Sequence, residues 1–371
     1  MTKFDDIRPY FPEEIPAATQ RMADSEVIPA IAAYFGMSAE ALRNWIRNIK
    51  TVEVFQSDLL VKLIDIMLQK TTTGFVFTGM ENISDKKPCL FVSNHRDIVL
   101  DAMLLQYQLT THDHKTCQIT FGSNLMSHPF VVDFGKVNKM FRTERGGTPK
   151  EFYNSMLHMS EYMRQVITEE HESVWIAQRN GRTKDGIDAT DPAIIKMFGM
   201  SRRDDRVASL AELNIVPIAV SYEWESCDKL KALELYMTRK NGHYEKQPNE
   251  DLNSILTGIM QPKGHVQFHI CPRVTEDDLK ALDNCPTSEF YKRVAELMDS
   301  RINPNFHLCP NNYIAHDLLS GTDAFAAHYT AEQKEAFVQY MTWMDDYPDV
   351  DREELKNIFL GIYANPIAAH R

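Results

Sequence analysis

Residues 91–101 read Phe91-Val92-Ser93-Asn94-His95-Arg96-Asp97-Ile98-Val99-Leu100-Asp101. An apolar run from Cys89 to Val92 ends in a polar corner, and an apolar helical pattern follows from Ala102 to Leu109. This order predicts a strand, a tight loop and a helix, with His95 at the exit of the strand.

Two carboxylates lie close to this histidine in the sequence. Asp97 is a good N-cap for the predicted helix, because its carboxylate can accept an otherwise unpaired backbone N–H group. Asp101 would then lie one turn inside the helix, where side chains tilt back toward the N-terminus and so toward His95. An imidazole held by a carboxylate has a fixed tautomer, which suits a general base. The alternative interpretation is a loop histidine beside a solvated aspartate.

The composition is that of a globular protein. The chain has 371 residues, of which 43% are hydrophobic and 25% charged. A formal net charge of −12 with no block of Lys or Arg argues against a nucleic-acid partner. The six cysteines are scattered, which fits a reducing compartment better than a disulfide scaffold or zinc site. Neither a membrane-spanning run nor a signal peptide is recognisable, so we expect a cytoplasmic protein. We expect no metal, because neither His112 and His114 nor His265 and His269 form a convincing ligand set with His95.

The hydrophobic pattern divides the chain into three regions. Residues 1–72 show helical spacing and predict a helical subdomain. Residues 73–290 alternate strand and helix patterns, which predicts an α/β domain with a mixed, largely buried sheet. Residues 291–371 return to helix, as an extension packed on the core. The strand-like segments are 75–77, 88–92, 117–121, 173–178, 215–222 and 265–270.

A long helix is predicted after the third of these strands. Thr148 and Glu151 form a capping-box pattern with a proline at the first helical position, which marks the start of the helix. One face of the helix carries Phe152, Met156, Met159, Met163 and Val166. We expect this stripe to pack in the core rather than to line a ligand groove.

Arginines and glycines cluster after two strand-like segments. The first cluster holds Arg142 and Arg145 beside Gly146 and Gly147; the second holds Arg179, Arg182 and Lys184 beside Gly181 and Gly186. Arginine forks match phosphate oxygens, and glycines let the backbone approach an anion. The clusters therefore predict an anion site. The alternative is a set of solvated arginines paired with Glu144, Asp185 and Asp188.

Four segments, taken in order, resemble the motifs of the glycerolipid acyltransferase superfamily. Residues 94–101 resemble the first motif, His-x4-Asp, except that five residues separate His95 from Asp101. The apolar residues after Asp101 resemble the continuation of that motif, so Asp101 is the favoured partner of His95. Asp97 is the other candidate.

Residues 141–146 resemble the second motif, which ends in an arginine that contacts the phosphate of the acceptor. Arg145 is the better match for that arginine, and Arg142 is the reserve. Residues 179–183 resemble the third motif, usually Glu-Gly-x-Arg. Gly181 and Arg182 match it directly.

The acidic residue of the third motif is replaced here by Arg179 or Asn180. Val216 and Pro217 lie in a segment that resembles the fourth motif, an apolar strand with a proline. The resemblance implies that the residues that shape the pocket are Asn94, Arg96, Val216 and Pro217.

The resemblance implies transfer of a fatty acyl chain from acyl-CoA or acyl carrier protein to a phosphorylated glycerol-type acceptor, in phospholipid biosynthesis. The acceptor would be glycerol-3-phosphate or lysophosphatidic acid. His95 would act as the general base, and Arg145 and Arg182 would hold the phosphate. The thioester is the co-substrate, and no other cofactor is expected.

The product of such a reaction is a membrane lipid, so we expect peripheral contact with the cytoplasmic face of the membrane. Two alternatives stay open. One is acylation of another lipid head group, such as an amino-acid lipid, which the altered third motif would allow. The other is a non-catalytic lipid-binding relative.

Overall fold

The structure is a computed structural model that describes residues 3–126, 128–144 and 146–370. Its strands are β1 (Thr72–Thr78), β2 (Leu90–Ser93), β3 (Cys117–Gly122), β4 (Met140–Thr143), β5 (Ser173–Ala177), β6 (Ile215–Tyr222) and β7 (Gly264–Ile270). In the described residues these seven strands form one sheet, in the order β1-β7-β6-β2-β5-β3-β4.

Neighbouring strands of the sheet run parallel, except for the antiparallel pair of β6 and β7. Every residue of β2 and β6 is buried, because helices cover both faces of the sheet. The predicted α/β fold with a mixed, largely buried sheet and helical regions at both ends is therefore confirmed. The carboxyl ends of β2, β3, β4 and β5 meet at one edge of the sheet.

Helices precede, connect and follow the strands. The helices before β1 are α1 (Ile15–Asp24), α2 (Ile28–Tyr34), α3 (Ala39–Asn48), α4 (Val52–Val54) and α5 (Val61–Thr71), with a π-helical segment, Phe55–Leu60, ahead of α5. Those between strands are α6 (Leu100–Thr111), α7 (Pro129–Val137), α8 (Pro149–Thr168), α9 (Pro192–Phe198), α10 (Arg206–Ala211), α11 (Asp228–Asn241) and α12 (Glu250–Met260). Those after β7 are α13 (Glu276–Leu282), α14 (Thr287–Ile302), α15 (Pro310–Ser320), α16 (Ala331–Tyr340) and α17 (Arg352–Ala369). Short 3₁₀ helices lie at Pro12–Glu14, Met80–Ile83, Ser123–Leu125, Asn303–Asn305, Ala326–His328 and Met341–Asp346.

Side chains that alternate along the strands build two cores. Phe91 and Trp175 face the helices before β1 and α6, whereas Val92 and Ile176 face α8, α9 and α14. A third cluster joins α11 to the C-terminal helices α15, α16 and α17. The helices before β1 thus share a core with the sheet, and the predicted division at residues 72 and 290 stays a prediction. In the described part of the chain, every helix is too short or too polar to cross a membrane.

Helix α8 begins as predicted. The Thr148 hydroxyl accepts from the Glu151 backbone N–H, and the Glu151 carboxylate accepts from that of Thr148. The apolar stripe of α8 differs in burial along the helix. Met159 and Met163 are buried in the core, whereas Phe152 in the first turn is 41% exposed. The expectation of a wholly core-packed stripe is wrong for the first turn of the helix, which lines a cavity.

Candidate active site

His95 lies in the loop between β2 and α6, at the carboxyl edge of the sheet. Its Nδ1 atom is 2.9 Å from Oδ2 of Asp101, and its ring meets the Trp175 ring edge-on at 5.9 Å between centroids. Because a carboxylate can only accept a hydrogen bond, Nδ1 donates to Asp101. The Nε2 atom is then left as an acceptor, which is the arrangement of a general base.

Asp101 is held by more than the histidine. Its Oδ2 atom also accepts from the backbone N–H groups of Arg96 and Asp97, at 2.7 and 3.0 Å. Its Oδ1 atom accepts from the Tyr222 hydroxyl on β6 at 2.9 Å. Burial, and then the neighbouring Asp101 carboxylate, raise the pKa of Tyr222 well above its usual value, so that hydroxyl keeps its proton. Asp101 thus points back at the loop, as its place in the first turn of α6 predicted.

Asp97 occupies a different position. The prediction that it is the N-cap of the helix is wrong, because α6 begins later, at Leu100, with Val99 as its N-cap. Asp97 Oδ1 instead accepts from the backbone N–H groups of Val99 and Leu100, at 2.8 Å each, and so closes the turn before the helix. Its other oxygen accepts from the Ser226 hydroxyl, and in the described residues the hydrogen bond of the imidazole goes to Asp101 and not to Asp97.

A model of the family described as Acyltransferase matches residues 74–221, which include β2 to β5, most of β1 and β6, and the His95–Asp101 pair. These residues are an acyltransferase domain. The prediction of an acyltransferase is confirmed for this domain. The glycerolipid type of the acceptor stays a prediction. Helices α11 to α17 lie outside the match.

The other comparisons add less. Among curated proteins, none matches this sequence. A solved structure, the 1-acyl-sn-glycerophosphate (LPA) acyltransferase PlsC from Thermotoga maritima, is similar with a TM-score of 0.36 and 12% identity, over 78% of this chain and 97% of that one. A similarity of this size decides nothing about activity.

Arg96 belongs to a buried charge network beside the loop of residues 94–99, which joins β2 to α6 and holds His95. It is 1% exposed, and its guanidinium pairs with Asp188 at 2.6 Å and with Glu225 at 3.2 Å. Burial by itself would lower the pKa of Arg96, but the two carboxylates outweigh it and raise the pKa. Lys231 on α11 donates to Glu225 at 2.6 Å and to the Arg96 carbonyl at 2.7 Å. The network fixes the backbone just after His95.

Asn94 fastens the same loop to β6. Its amide nitrogen donates to Asp188 at 2.8 Å and to the Val220 carbonyl, while its amide oxygen accepts from the Val220 N–H at 2.7 Å. Val216 and Pro217 lie deeper in the sheet, paired with Phe91 and Val92. Both are core residues of β6. Their partners in β2 come before the loop that holds His95, so they lie below that loop in the sheet.

The predicted arginines separate into three cases. Arg142 lies on the edge strand β4, where it pairs with Glu144 at 2.7 Å, as the solvated alternative predicted. Arg145 lies outside the described residues. Arg182 is half-buried, and its Nη1 atom is buried without a hydrogen-bond partner in the described residues.

Arg182 is next in sequence to Thr183, whose backbone contacts the dyad residue His95. The Thr183 N–H donates to the His95 carbonyl at 2.7 Å. Gly181 has a φ of +77°, which a residue with a side chain rarely adopts, so glycine lets the chain turn there. A buried arginine nitrogen without a partner, one residue from this contact, is suited to bind an anion.

Sequence reasoning missed the groups that hold the dyad in place. Tyr222, Glu225 and Lys231 carry no motif, and Asp188 was assigned only as a possible partner of loop arginines. No spacing in the sequence relates these residues to His95, because β6, the 179–191 segment and α11 reach the loop only in the folded chain.

Proposed function

We propose that this chain is an O-acyltransferase that moves a fatty acyl group from a thioester to the hydroxyl of glycerol-3-phosphate or lysophosphatidic acid. The observation that carries the proposal is the hydrogen-bonded pair of His95 and Asp101 within the acyltransferase domain. The extra residue of the first motif does not separate the pair, which favours catalysis over a binding-only role.

The proposed reaction uses the imidazole twice. His95 Nε2 takes the proton of the acceptor hydroxyl as the oxygen attacks the thioester carbonyl carbon. Asp101 stabilises the imidazolium that forms, and Tyr222 and the backbone N–H groups hold Asp101 in place. The carbon–sulfur bond then breaks, and the thiolate takes the proton from the imidazolium. An ester and a free thiol result, without a further cofactor.

Arg182 is the proposed contact for the acceptor phosphate. Its buried, unpaired Nη1 atom supports this role, and so does its place one residue from the Thr183–His95 contact. A phosphate held there would keep the acceptor hydroxyl close to the base, which lowers the entropic cost of the reaction. Arg145 stays a predicted second contact, and Arg142 is disfavoured by its ion pair with Glu144.

The donor is proposed to be acyl-CoA or acyl carrier protein, and the product a membrane phospholipid precursor. A lipid product implies peripheral contact with the cytoplasmic face of a membrane. The identity of the head group is open to test, because Arg179 and Asn180 replace the acidic residue of the third motif.

The experiment is thiol release from acyl-CoA and from acyl carrier protein, with a panel of acceptors and mass spectrometry of the lipids formed. We expect ester formation with a phosphorylated glycerol, and a loss of ~10²- to 10⁴-fold in kcat for His95→Ala. Thermal unfolding of His95→Ala is the control for folding. Normal turnover in a folded His95→Ala protein would refute the role of His95 as the general base.

A further inference from the structure

Helix α11 brings a buried lysine to the loop that holds His95, although this helix lies outside the acyltransferase domain of residues 74–221. Lys231 on α11 is only 1% exposed. Its Nζ atom donates to the Arg96 carbonyl at 2.7 Å and to Oε1 of Glu225 at 2.6 Å. A buried ammonium group is costly unless it is paired and hydrogen-bonded, so these two oxygens hold the lysine in one place.

The carbonyl that Lys231 contacts belongs to a peptide group that also holds Asp101. This peptide group joins Arg96 to Asp97: its oxygen accepts from Lys231, and its N–H donates to Oδ2 of Asp101 at 3.0 Å. Because a peptide group is planar, a contact that fixes its oxygen also fixes the direction of its N–H. A cation at the oxygen also polarises the group and strengthens the hydrogen bond from its N–H. Lys231 therefore acts, through one peptide group, on the carboxylate that pairs with His95.

Glu225 ties the lysine to the same loop from a second direction. Its Oε2 atom accepts from the Arg96 guanidinium at 3.2 Å, while its Oε1 atom accepts from Lys231. Arg96 is thus held both at its side chain and at its carbonyl, and its own N–H donates to Asp101 at 2.7 Å. In the described residues, the backbone N–H groups that donate to Asp101 therefore lie in the segment that Lys231 and Glu225 hold.

The C-terminal helix α17 keeps Glu225 and α11 in place. The Tyr363 hydroxyl on α17 accepts from the Glu225 backbone N–H at 3.2 Å and donates to Oδ2 of Asp228 at 2.5 Å. Asp228 is the first residue of α11, so a single hydroxyl connects α17 to both. Helices α11 and α17 also share the third hydrophobic cluster. The packing of the C-terminal helices therefore sets the position of Lys231.

We propose that Lys231 is a positioning residue for acyl transfer: it orients the Arg96–Asp97 peptide group so that Asp101 meets His95. The inference rests on the proposed function. It extends the catalytic unit of this protein beyond the acyltransferase domain to α11 and the C-terminal helices packed on it. Because Lys231 acts through the loop and not on a substrate, its loss should lower kcat and leave the KM values of both substrates nearly unchanged.

The test removes the ammonium group and keeps an unbranched side chain. For Lys231→Met we expect kcat in the thiol-release assay to fall about tenfold or more, because a small misplacement of a catalytic group is costly, and both KM values to stay within about threefold.

Arg301→Met is the matched control. Arg301 on α14 also donates to one carboxylate, that of Asp278, and to one backbone carbonyl, that of Pro272. Neither partner belongs to the loop of residues 94–99. We therefore expect a loss of stability in Arg301→Met, with kcat within about threefold of the native value.

A double variant separates positioning from stability. Lys231→Met leaves Oε1 of the buried Glu225 without this partner, which lowers the free energy of unfolding. Addition of Glu225→Gln removes the surplus negative charge, so we expect the double variant to unfold at a higher temperature than Lys231→Met. Its kcat should stay about tenfold or more below the native value, because the Arg96 carbonyl still lacks its donor. The double variant also carries the test if Lys231→Met does not fold.

Two results would overturn the role of Lys231. One is a kcat that recovers with stability in the double variant, since activity would then simply follow folding. The other is nearly native kcat in either folded variant. If the native protein transfers no acyl group to any acceptor, the proposed function itself fails. Transfer by the native protein and by the variants at equal rates removes the positioning role alone.

Discussion

Replacement of Asp101 by asparagine, compared with the same change at Asp97, separates the two carboxylates near His95. Three N–H groups point at Oδ2 of Asp101: His95 Nδ1 and the backbone of Arg96 and Asp97. An asparagine must therefore place its amide oxygen there, because its NH₂ group would face three donors. The NH₂ group then faces the oxygen of Tyr222, which can accept a hydrogen bond.

This geometry predicts that Asp101→Asn folds but loses the charge that stabilises the imidazolium. We expect kcat to fall ~10²- to 10⁴-fold. At ~1.36 kcal/mol per tenfold, this is about 2.7–5.4 kcal/mol of lost transition-state stabilisation. The KM values for both substrates should change far less, because in the proposed mechanism Asp101 acts through the imidazole and not on either substrate.

Asp97→Asn should behave differently. The amide oxygen keeps the hydrogen bonds from Val99 and Leu100, and the NH₂ group can donate to the Ser226 hydroxyl. We expect less than about a tenfold loss in kcat and a change of about 1 kcal/mol in the free energy of unfolding.

Both variants are compared in the thiol-release assay, with near-UV circular dichroism and thermal unfolding to establish that they fold. The reasoning is refuted if Asp97→Asn loses as much activity as Asp101→Asn. It is also refuted if folded Asp101→Asn keeps nearly native turnover.

Further predictions concern the surroundings of the dyad. Arg182→Ala should raise the KM of the phosphorylated acceptor about tenfold or more and leave the KM of the thioester nearly unchanged. With Arg182→Lys the KM of the acceptor should lie between the two, because lysine keeps the charge but loses the bidentate contact. Steady-state kinetics with each substrate varied in turn would test this. Tyr222→Phe removes one donor to Asp101 and should lower kcat about three- to tenfold at constant KM, whereas an unchanged kcat would show that the hydroxyl does not position Asp101. Burial raises the pKa of Asp228 to about 6, so the folded state holds this proton more tightly than the unfolded chain. The contribution of Asp228 to the free energy of unfolding is therefore complete below pH ~4 and is lost as the pH rises through ~6. Urea titrations across this range should show a smaller loss of stability with pH for Asp228→Asn than for the native protein.

Much of the fold follows from local patterns. The strand β2, the loop after it and helix α6 lie where the alternation and spacing of apolar residues predicted them. The start of α8 follows from its capping box, which needs only residues three apart. Strand β4 was not predicted, because its four residues lie at the edge of the sheet and carry too short a pattern.

By itself, then, the sequence determined the strand–loop–helix corner, the tilt of Asp101 toward the loop and the order of the four motifs, since each depends on neighbours along the chain. Only the tertiary structure decided that Asp97 accepts a hydrogen bond from Ser226, that Tyr222 donates one to Asp101, and that Arg96 forms buried ion pairs with Asp188 and Glu225. The partners in these contacts are 129, 121 and 92 positions apart for Asp97–Ser226, Asp101–Tyr222 and Arg96–Asp188. The cavity beside α8 was likewise hidden, because a helical stripe of methionines has the same period whether α9 packs closely against it or leaves a space.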